Sequence, residues 1–419
     1  MDAVILSVGD EIVTGATIDT NSAWLAGELS TLGFRPRLRG VVRDDRNEIA
    51  EAMRRDLFGV AVLIVTGGLG PTADDLTREG LADALDVELR AHPAAEQLIR
   101  EFYQRLGRSM PATTMRQANL PTGAEPIPNP RGTAPGVHVS ADGNRAAVFL
   151  LPGPPAEMHG MFRDFVRPRI KGVSGGSCMV KRVLRTFGMS EAALAERIED
   201  LMAPDRNPHV GVTASETLVS VRINATAASM EEAAHMADHD AAEVRSRLGQ
   251  VVYGEGDDTL ASVVGAILAR RRRTLAAAES CTGGLVSKLL TDVPGSSAYF
   301  IRGYVTYSNA SKVELLGLEP AMLERLGAVS AETAEAMARG CRAAADADHA
   351  ISITGIAGPT GGSVDKPIGL VYVGVADKNE VSTHQLRLGS HLTREQVRDR
   401  AAKAALNLLR LGLLKEQGG

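Results

Sequence analysis

Three residues of the carboxy-terminal third, Ser280, Tyr307 and Lys312, have the types and spacing for acyl transfer. Ser280 stands in Ala278-Glu-Ser-Cys-Thr-Gly-Gly284, at a strand end just before a glycine-rich helix start. A hydroxyl there can face a substrate, but it needs a base to become a nucleophile. The two histidines of this segment, His349 and His384, lie in strand contexts that suggest no such role. A lysine removed from water loses its proton near neutral pH and can accept the serine's. Lys312 falls in the first turn of a helix that follows a strand ending at Tyr307, so a Ser–Lys pair assisted by Tyr is a workable hydrolase arrangement. Amides around Thr282, Gly283 and Gly284 could hold an anion or an oxyanion. The same residues also read as plain structure. Ser280 and Thr282 could be helix caps, Lys312 a solvated helix residue and Tyr307 core filling. Cys281 could be a small buried residue or the nucleophile itself, since a helix N-terminus favours thiolate.

A second set lies near the amino terminus. Thr66-Gly-Gly-Leu-Gly-Pro-Thr-Ala-Asp-Asp75 follows an apolar strand and opens a helix. The amides of Thr66, Gly67, Gly68 and Gly70, with Thr72, could cradle phosphate, and Asp74 and Asp75 could bring Mg²⁺ to it. The plain reading is a helix start with acids in its first turn and a capping-box-like spacing from Thr72 to Asp75. Asp10 and Glu11 end another strand. With the loop 129–136, which holds Gly132 and Thr133, they are expected to converge on the crevice where open α/β sheets bind ligands.

The elements that must position these residues follow an α/β grammar. Ala3–Val8, Arg37–Val42 and Val60–Val65 read as strands, and Asn47–Leu57, Asp74–Leu85 and Pro93–Leu106 as helices. Continuous apolar strands alternating with helices predict a parallel sheet covered on both faces. The Gly/Ser-rich run from Lys171 to Ser177 reads as a linker. A small α+β unit follows, with strands at Lys181–Phe187 and Leu218–Ile223 and a helix at Met230–Leu248. The acidic turn from Gly254 to Asp258 then opens a second α/β layer with strands at Thr274–Ala278, Gly303–Tyr307, Ala350–Thr354 and Leu370–Val375. The expected fold is α/β with domains at 1–170, 177–254 and 257–416.

The 419 residues suit two to four domains, more than one core supports. Aromatics are only 4%, so the cores must be built from Ala, Val, Leu and Ile. A net charge of −5 gives no general attraction to nucleic acid or anionic lipid. Three cysteines form no framework and fit a reducing cytoplasm. The amino terminus lacks a signal-peptide pattern, and no apolar run is long enough to span a membrane.

The stretches Ala278–Gly284, Pro294-Gly-Ser-Ser297 and Phe300–Lys312, continued by Gly327-Ala-Val-Ser330, Ile353–Gly362 and Lys366-Pro367, resemble the nicotinamide-nucleotide amidohydrolase domain of CinA-like (competence/damage-inducible) proteins. The resemblance implies hydrolysis of nicotinamide mononucleotide to nicotinate mononucleotide and ammonia, without a metal, and it puts the catalytic roles on Ser280, Tyr307 and Lys312. Ser280 would attack the amide carbon, Lys312 accept its proton and Tyr307 relay or orient it. Candidate substrate ligands are Thr282, Gly283, Gly284, Ser296, Gly358, Gly361, Arg394 and Arg398, the two arginines equally readable as solvated surface. Gly9–Gly15, Thr66–Asp75, Asn129–Gly136 and Leu151–Met158 resemble the MoaB/MogA-like molybdopterin-binding domain at the head of the same family. That likeness implies a nucleotide or pterin phosphate site with metal-dependent ADP-ribose pyrophosphatase activity. Asp74, Asp75, Asp10 and Glu157 are the candidate ligands for Mg²⁺ or a similar divalent ion. Arg185-Thr-Phe-Gly-Met-Ser-Glu191 resembles the family's KH-like segment, but the only GxxG match nearby, Gly172-Val-Ser-Gly175, falls in the linker. The combined expectation is a cytoplasmic homodimer acting on nicotinamide mononucleotide and ADP-ribose in NAD turnover. Two alternatives are an amino-terminal module that only binds a nucleotide or pterin and regulates, and a competence-associated nucleic-acid factor. Scarce basic and stacking surface counts against the second.

Overall fold

The computed structural model describes residues 1–171, 173, 178–215 and 218–416. The linker glycines Gly172 and Gly175 lie outside the described residues. The chain forms two compact units, Met1–Lys181 with Asn224–Met236 and Arg182–Ile223 with Ala237–Gly419, so the division runs through the middle module. Among the described residues no helix is long and apolar enough to cross a membrane.

In the first unit β1 (Asp2–Val8) leads through a short helix, α1 (Asp10–Val13), to α2 (Thr20–Thr31), β2 (Arg35–Val42), α3 (Arg46–Asp56), β3 (Val62–Thr66) and α4 (Thr77–Leu85). After β4 (Leu89–Ala91) and α5 (Pro93–Leu106), the chain makes β5 (Asn119–Pro121), β6 (Glu125–Ile127), β7 (Gly136–Val139), β8 (Ala147–Leu151), α6 (Pro155–Met161) and α7 (Arg167–Ile170). The main sheet has the order β2-β1-β3-β8-β7-β6. Its first four strands are parallel. β6 and β7 add antiparallel, a departure from the expected all-parallel sheet. The connections into β7 and β8 carry no crossover helix, and only antiparallel strands can be joined that way. β1 is apolar at successive positions because both its faces are covered. Val4, Leu6 and Val8 pack with α3 and α5 residues such as Met53 and Ile99. Ala3 and Ile5 pack with Leu25, Leu29 and Phe162 on the other side. Each such buried aliphatic side chain is worth about 1.5–3 kcal/mol.

The middle module has strands β9 (Cys178–Thr186), β10 (His209–Ser215), β11 (Leu218–Ala227) and β12 (Val252–Glu255), with helices α8 (Glu191–Arg197) and α9 (Met230–Leu248). Its sheet has the order β10-β11-β9-β12. Arg206 forks onto the buried Asp240 carboxylate at 2.6 Å and 3.1 Å.

The carboxy-terminal α/β layer begins with α10 (Leu260–Arg271), β13 (Leu275–Glu279), α11 (Leu285–Thr291), β14 (Phe300–Val305), α12 (Asn309–Leu316) and α13 (Pro320–Leu326). α14 (Ala331–Ala345), β15 (His349–Gly355), β16 (Leu370–Ala376), β17 (Val381–Arg387) and α15 (Arg394–Lys415) complete it. The sheet order is β14-β13-β15-β16-β17. β14, β13 and β15 are parallel, and β16 and β17 fold back antiparallel. β13 is Leu-Ala-Ala-Ala-Glu and wholly buried, flanked by helices on both faces. Ala277 packs toward α10 and α15, whereas Ala276 and Ala278 pack toward α12 to α14. The alanines let the helices approach the central strand closely.

Candidate active site and amino-terminal cleft

The carboxyl ends of the three parallel strands β13, β14 and β15 lie side by side, with Glu279 opposite Val305 on one neighbour and Ile353 on the other. Loops leaving this edge build a site, as the topology of an open α/β sheet requires. Ser280 is pinned there. Its amide donates to the Ile353 carbonyl (2.9 Å), and the Thr306 amide donates to the Glu279 carbonyl (2.8 Å). Ser308 caps α12 by accepting from the Ser311 amide (3.0 Å). That fixed helix start carries Lys312 inward. Its Nζ donates to the Ser280 Oγ at 3.2 Å and to the Thr306 carbonyl at 2.8 Å. Lys312 is 0% exposed and Ser280 9%. Burial pushes the Lys312 ammonium below the ordinary lysine range, with the neighbouring Cys281 acting weakly the other way. No carboxylate ion-pairs with Lys312 among the described residues, so only two neutral acceptors and the weak effect of Cys281 offset the cost of charging it.

Cys281 behaves differently. Burial pushes its thiol up to about 12, and the charge of Glu279 adds to the rise. A thiol so shifted stays protonated at neutral pH, which removes the helix-terminus argument for a thiolate nucleophile at this position.

Sequence reasoning passed over Glu279. It is 0% exposed, and its carboxylate accepts from the amides of Val286 (3.0 Å) and Ser287 (2.8 Å) and from the Ser287 hydroxyl (2.7 Å). The start of α11 is thus already occupied by an internal anion and is not free to hold a substrate phosphate. Only the unbroken run from strand to helix, with an acid just before the serine, hinted at this. Changing Glu279 to Gln keeps the size but turns an acceptor into a donor facing a helix amide. It is expected to cost about 1–3 kcal/mol of stability, measured by denaturant unfolding followed by circular dichroism.

The expected amide cluster is narrower than the sequence implied. The Gly283 amide is spent on the Ser280 carbonyl (3.1 Å). The amides of Cys281, Thr282 and Gly284 have no acceptor among the described residues. Thr282 is buried, and its hydroxyl lacks a partner. Arg398 donates to the Thr282 carbonyl (2.7 Å) and braces this turn. Arg394 donates to the Gly358 carbonyl (2.8 Å) and to the Tyr307 hydroxyl (2.9 Å). Both arginines therefore touch the strand-edge loops, where the sequence also allowed a solvated surface.

Tyr307 departs from its expected relay position. It lies past the end of β14, is 62% exposed, and has its hydroxyl on Arg394 rather than on Ser280 or Lys312. Ser296 is not brought to the site. It precedes β14, whose first residues pair with Leu275 at the start of β13. In a parallel pair that is the opposite edge of the sheet from Ser280. Gly361 meets nothing within 4 Å of where a Cβ would be.

In the first unit a cleft of 510 Å³ opens beyond the ends of β1 and β3. Thr66, Gly67, Gly68, Gly70, Thr133, Asp74, Asp75 and Glu157 line it, as the sequence anticipated, whereas Thr72, Gly132 and Asp10 do not. Gly67 has φ +104°, and a Cβ there would stand 2.2 Å from the Val8 carbonyl oxygen, so only glycine lets the loop pass. Asn21, Asp44 and Gln117 also line the cleft and were not anticipated. Burial raises the Asp44 carboxyl above the usual range, opposed by its bond from the Asp10 amide and reinforced by the charges of Glu11, Asp10 and Asp74.

The four acids expected to hold a divalent ion do not form a coordination shell. Asp75 spends its oxygens on the Gly70 amide (2.7 Å) and on the Thr72 amide and hydroxyl (2.8 and 2.5 Å). Its position is the loop, because α4 starts at Thr77 rather than at Asp74. Glu157 accepts from Asn129 (2.7 Å), and Asp10 pairs with Arg43 (3.3 Å). Among the described residues no three His, Cys, Asp or Glu side chains could hold a metal ion. Asp75, Glu157 and Asp10 are thus engaged with protein partners, and a full protein shell for the implied ion is not assembled among the described residues.

Comparison with known proteins matches the chain to three family models. Residues 4–172 match the "Probable molybdopterin binding domain", 181–254 the damage-inducible protein CinA KH domain, and 257–413 the CinA C-terminal domain. A CinA-like protein of Geobacter sulfurreducens is 42% identical over 415 residues, 99% of this chain and 100% of its own. A CinA-like protein of Synechocystis sp. is 42% identical over 414 residues, 98% of this chain and 99% of its own. The solved structure of the competence/damage inducible protein CihA from Agrobacterium tumefaciens is 40% identical, covering 37% of this chain and 93% of its own, with a TM-score of 0.36. The identity with CinA-like proteins along almost the whole chain means that this protein belongs to the CinA-like family.

Proposed function

We propose that the carboxy-terminal site hydrolyses the carboxamide of nicotinamide mononucleotide to the carboxylate and ammonia. The observation that carries this reading is the buried pair of Ser280 Oγ and Lys312 Nζ at 3.2 Å. Lys312, whose neutral form burial favours, takes the proton as Ser280 Oγ bonds to the amide carbon. Negative charge develops on the amide oxygen, and the unsatisfied amides of Cys281 and Thr282 are the donors on hand to meet it. The C–N bond then breaks, and the lysine's proton leaves with the nitrogen as ammonia. Water attacks the resulting Ser280 ester, gives its proton to Lys312 and releases the acid, and Lys312 returns a proton to Ser280 Oγ. Arg394 and Arg398 supply positive charge for the substrate phosphate. Tyr307, held by Arg394 at the mouth, orients the substrate rather than relaying the proton.

Full-length protein should release ammonia from nicotinamide mononucleotide in metal-chelated buffer. Cys281→Ala should retain activity within about threefold, because a small buried thiol contributes packing alone. If Cys281→Ala abolishes release while Ser280→Ala retains it, the nucleophile is the cysteine and this reading fails.

A second reading concerns the amino-terminal cleft, and the observation favouring it is the loop described next. The cleft takes the diphosphate of a nucleotide such as ADP-ribose. AMP release from ADP-ribose would make it a pyrophosphatase, and binding without turnover would make it a sensor. The free thiols of Cys178, Cys281 and Cys341 suit a reducing compartment such as the cytoplasm, and a homodimer is the assembly we propose.

A further inference from the structure

The loop at the floor of the amino-terminal cleft has its carbonyls tied down from behind. Thr77 Oγ1 donates to the Gly67 carbonyl (2.8 Å) and the Thr77 amide to that of Gly68 (3.2 Å). Arg78 Nη1 donates to the Leu69 carbonyl (2.7 Å), which Gln117 also reaches (3.1 Å), and Arg78 Nη2 donates to that of Gly70 (3.1 Å). Arg116 holds the Thr72 carbonyl (2.9 Å). The amides of Gly68 and Leu69 are left with no acceptor among the described residues. A run of backbone with its acceptors satisfied and its donors open suits an anion.

The charges around this loop are unusual. The cleft lining contains carboxylates, Glu11, Asp44 and Asp74 among them, and no lysine, arginine or histidine. An anion entering it would meet repulsion unless a cation lay close. Arg116, which reaches Thr72, is paired with Glu79, whereas Arg78, which reaches Leu69 and Gly70, is 0% exposed. Its guanidinium contacts two carbonyls and no carboxylate at ion-pair distance. The neighbouring acids are committed elsewhere, Asp75 to the amides of Gly70 and Thr72 and Glu79 to Arg116 (2.8 Å). Burial lowers the Arg78 pKa from its usual value, yet a guanidinium remains charged in proteins. The charges of Glu79 and Asp75 favour the guanidinium without pairing with it, and a buried charge compensated only at a distance acts strongly on whatever charge comes near it.

We infer that Arg78 is a positioning residue of the amino-terminal cleft, a buried counter-charge that holds the loop 67–70 open to a diphosphate and offsets the acidic rim. The inference rests on reading the cleft as a diphosphate site. Sequence analysis did not single out Arg78, and only its burial reveals the role.

Calorimetry with inorganic pyrophosphate, in metal-free buffer on the full chain, separates the two statements. Wild type is expected to bind, more weakly as salt rises. Arg78→Lys gives up the fork onto two carbonyls and places at a buried position an ammonium that burial pushes toward its neutral form, so it is expected to bind more weakly than wild type, with an affinity that falls further as pH rises. Arg78→Gln keeps hydrogen-bond donors but loses the charge, and is expected to bind at least about tenfold more weakly, with a flatter salt dependence. Trp24, the only tryptophan, belongs to the first unit and reports by fluorescence that each variant keeps that unit folded. If wild type does not bind pyrophosphate, the diphosphate reading of the cleft falls. If wild type binds and Arg78→Gln binds as tightly with the same salt dependence, the cleft reading stands and the role of Arg78 is overturned.

Discussion

Ser280→Ala is expected to lower ammonia release from nicotinamide mononucleotide on the order of 10⁶-fold, as loss of a nucleophile does in other acyl-transfer enzymes. Melting should be almost unchanged. The lost hydroxyl accepts one bond from Lys312, and Lys312 keeps its second acceptor at the Thr306 carbonyl. Substrate affinity should persist, because Arg394 and Arg398 are anchored by the carbonyls of Gly358 and Thr282, not by the serine. Activity and binding therefore separate in this variant. A steady-state ammonia assay beside calorimetric titration of the nucleotide measures both. A parallel loss of binding and fold would mean that Ser280 is structural.

Lys312→Met is the second large effect, and it moves activity and stability in opposite directions. Removal of the base should slow turnover by about 10²–10⁴-fold. Stability should rise at neutral pH, since a buried lysine lacking a carboxylate partner is replaced by an apolar chain of similar length. The sign follows from linkage. The folded-state pKa of Lys312 lies below that of the unfolded chain. Between the two values the unfolded chain binds a proton that the folded chain does not, so wild-type stability increases with pH across that window. The gap in stability between Lys312→Met and wild type should therefore shrink as pH rises toward the ordinary lysine value and widen as pH falls. Wild-type kcat/KM should decline on the acid side with a midpoint below that ordinary value, reporting protonation of the base. Thermal melts and pH–rate profiles check the two arms. A variant that is both inactive and strongly destabilised at neutral pH would show that Lys312 is held for packing rather than poised for proton transfer.

The sequence made Ser280 and Lys312 legible because each sits at a change of periodicity, one leaving an apolar strand and the other entering a capped helix. Strand and helix types fix where such residues emerge, so two residues 32 apart could be paired in advance. Tyr307 was legible as a neighbour but not in direction, because its partner Arg394 comes from a helix 87 residues later. Ser296 misled for a topological reason. Closeness along the chain to Ser280 says nothing of which sheet edge a residue occupies, and the parallel pairing of β13 with β14 puts the residues before β14 at the far edge. β17 was read only as a strand context around His384, without bounds, because it is an edge strand with no fully buried residue, and β6 is only Glu125–Ile127. In the amino-terminal cleft the glycine loop was plain from its composition. The use of Asp75 inside that loop was not, since an acid just before a helix looks the same whether it faces a ligand or its own backbone. Glu279 and Arg78 were passed over because their importance lies in burial, a tertiary property that short-range pattern does not carry.

The central claim is that Ser280 carries the acyl group. The direct measurement is rapid quenching of the full-length protein during turnover of nicotinamide mononucleotide, followed by proteolysis and mass mapping of the peptide spanning residues 274–288. The expected result is a nucleotide acyl adduct on Ser280, absent in Ser280→Ala and formed more slowly in Lys312→Met, where the base for acylation is gone. An adduct on Cys281, or sustained ammonia release by Ser280→Ala, would contradict it.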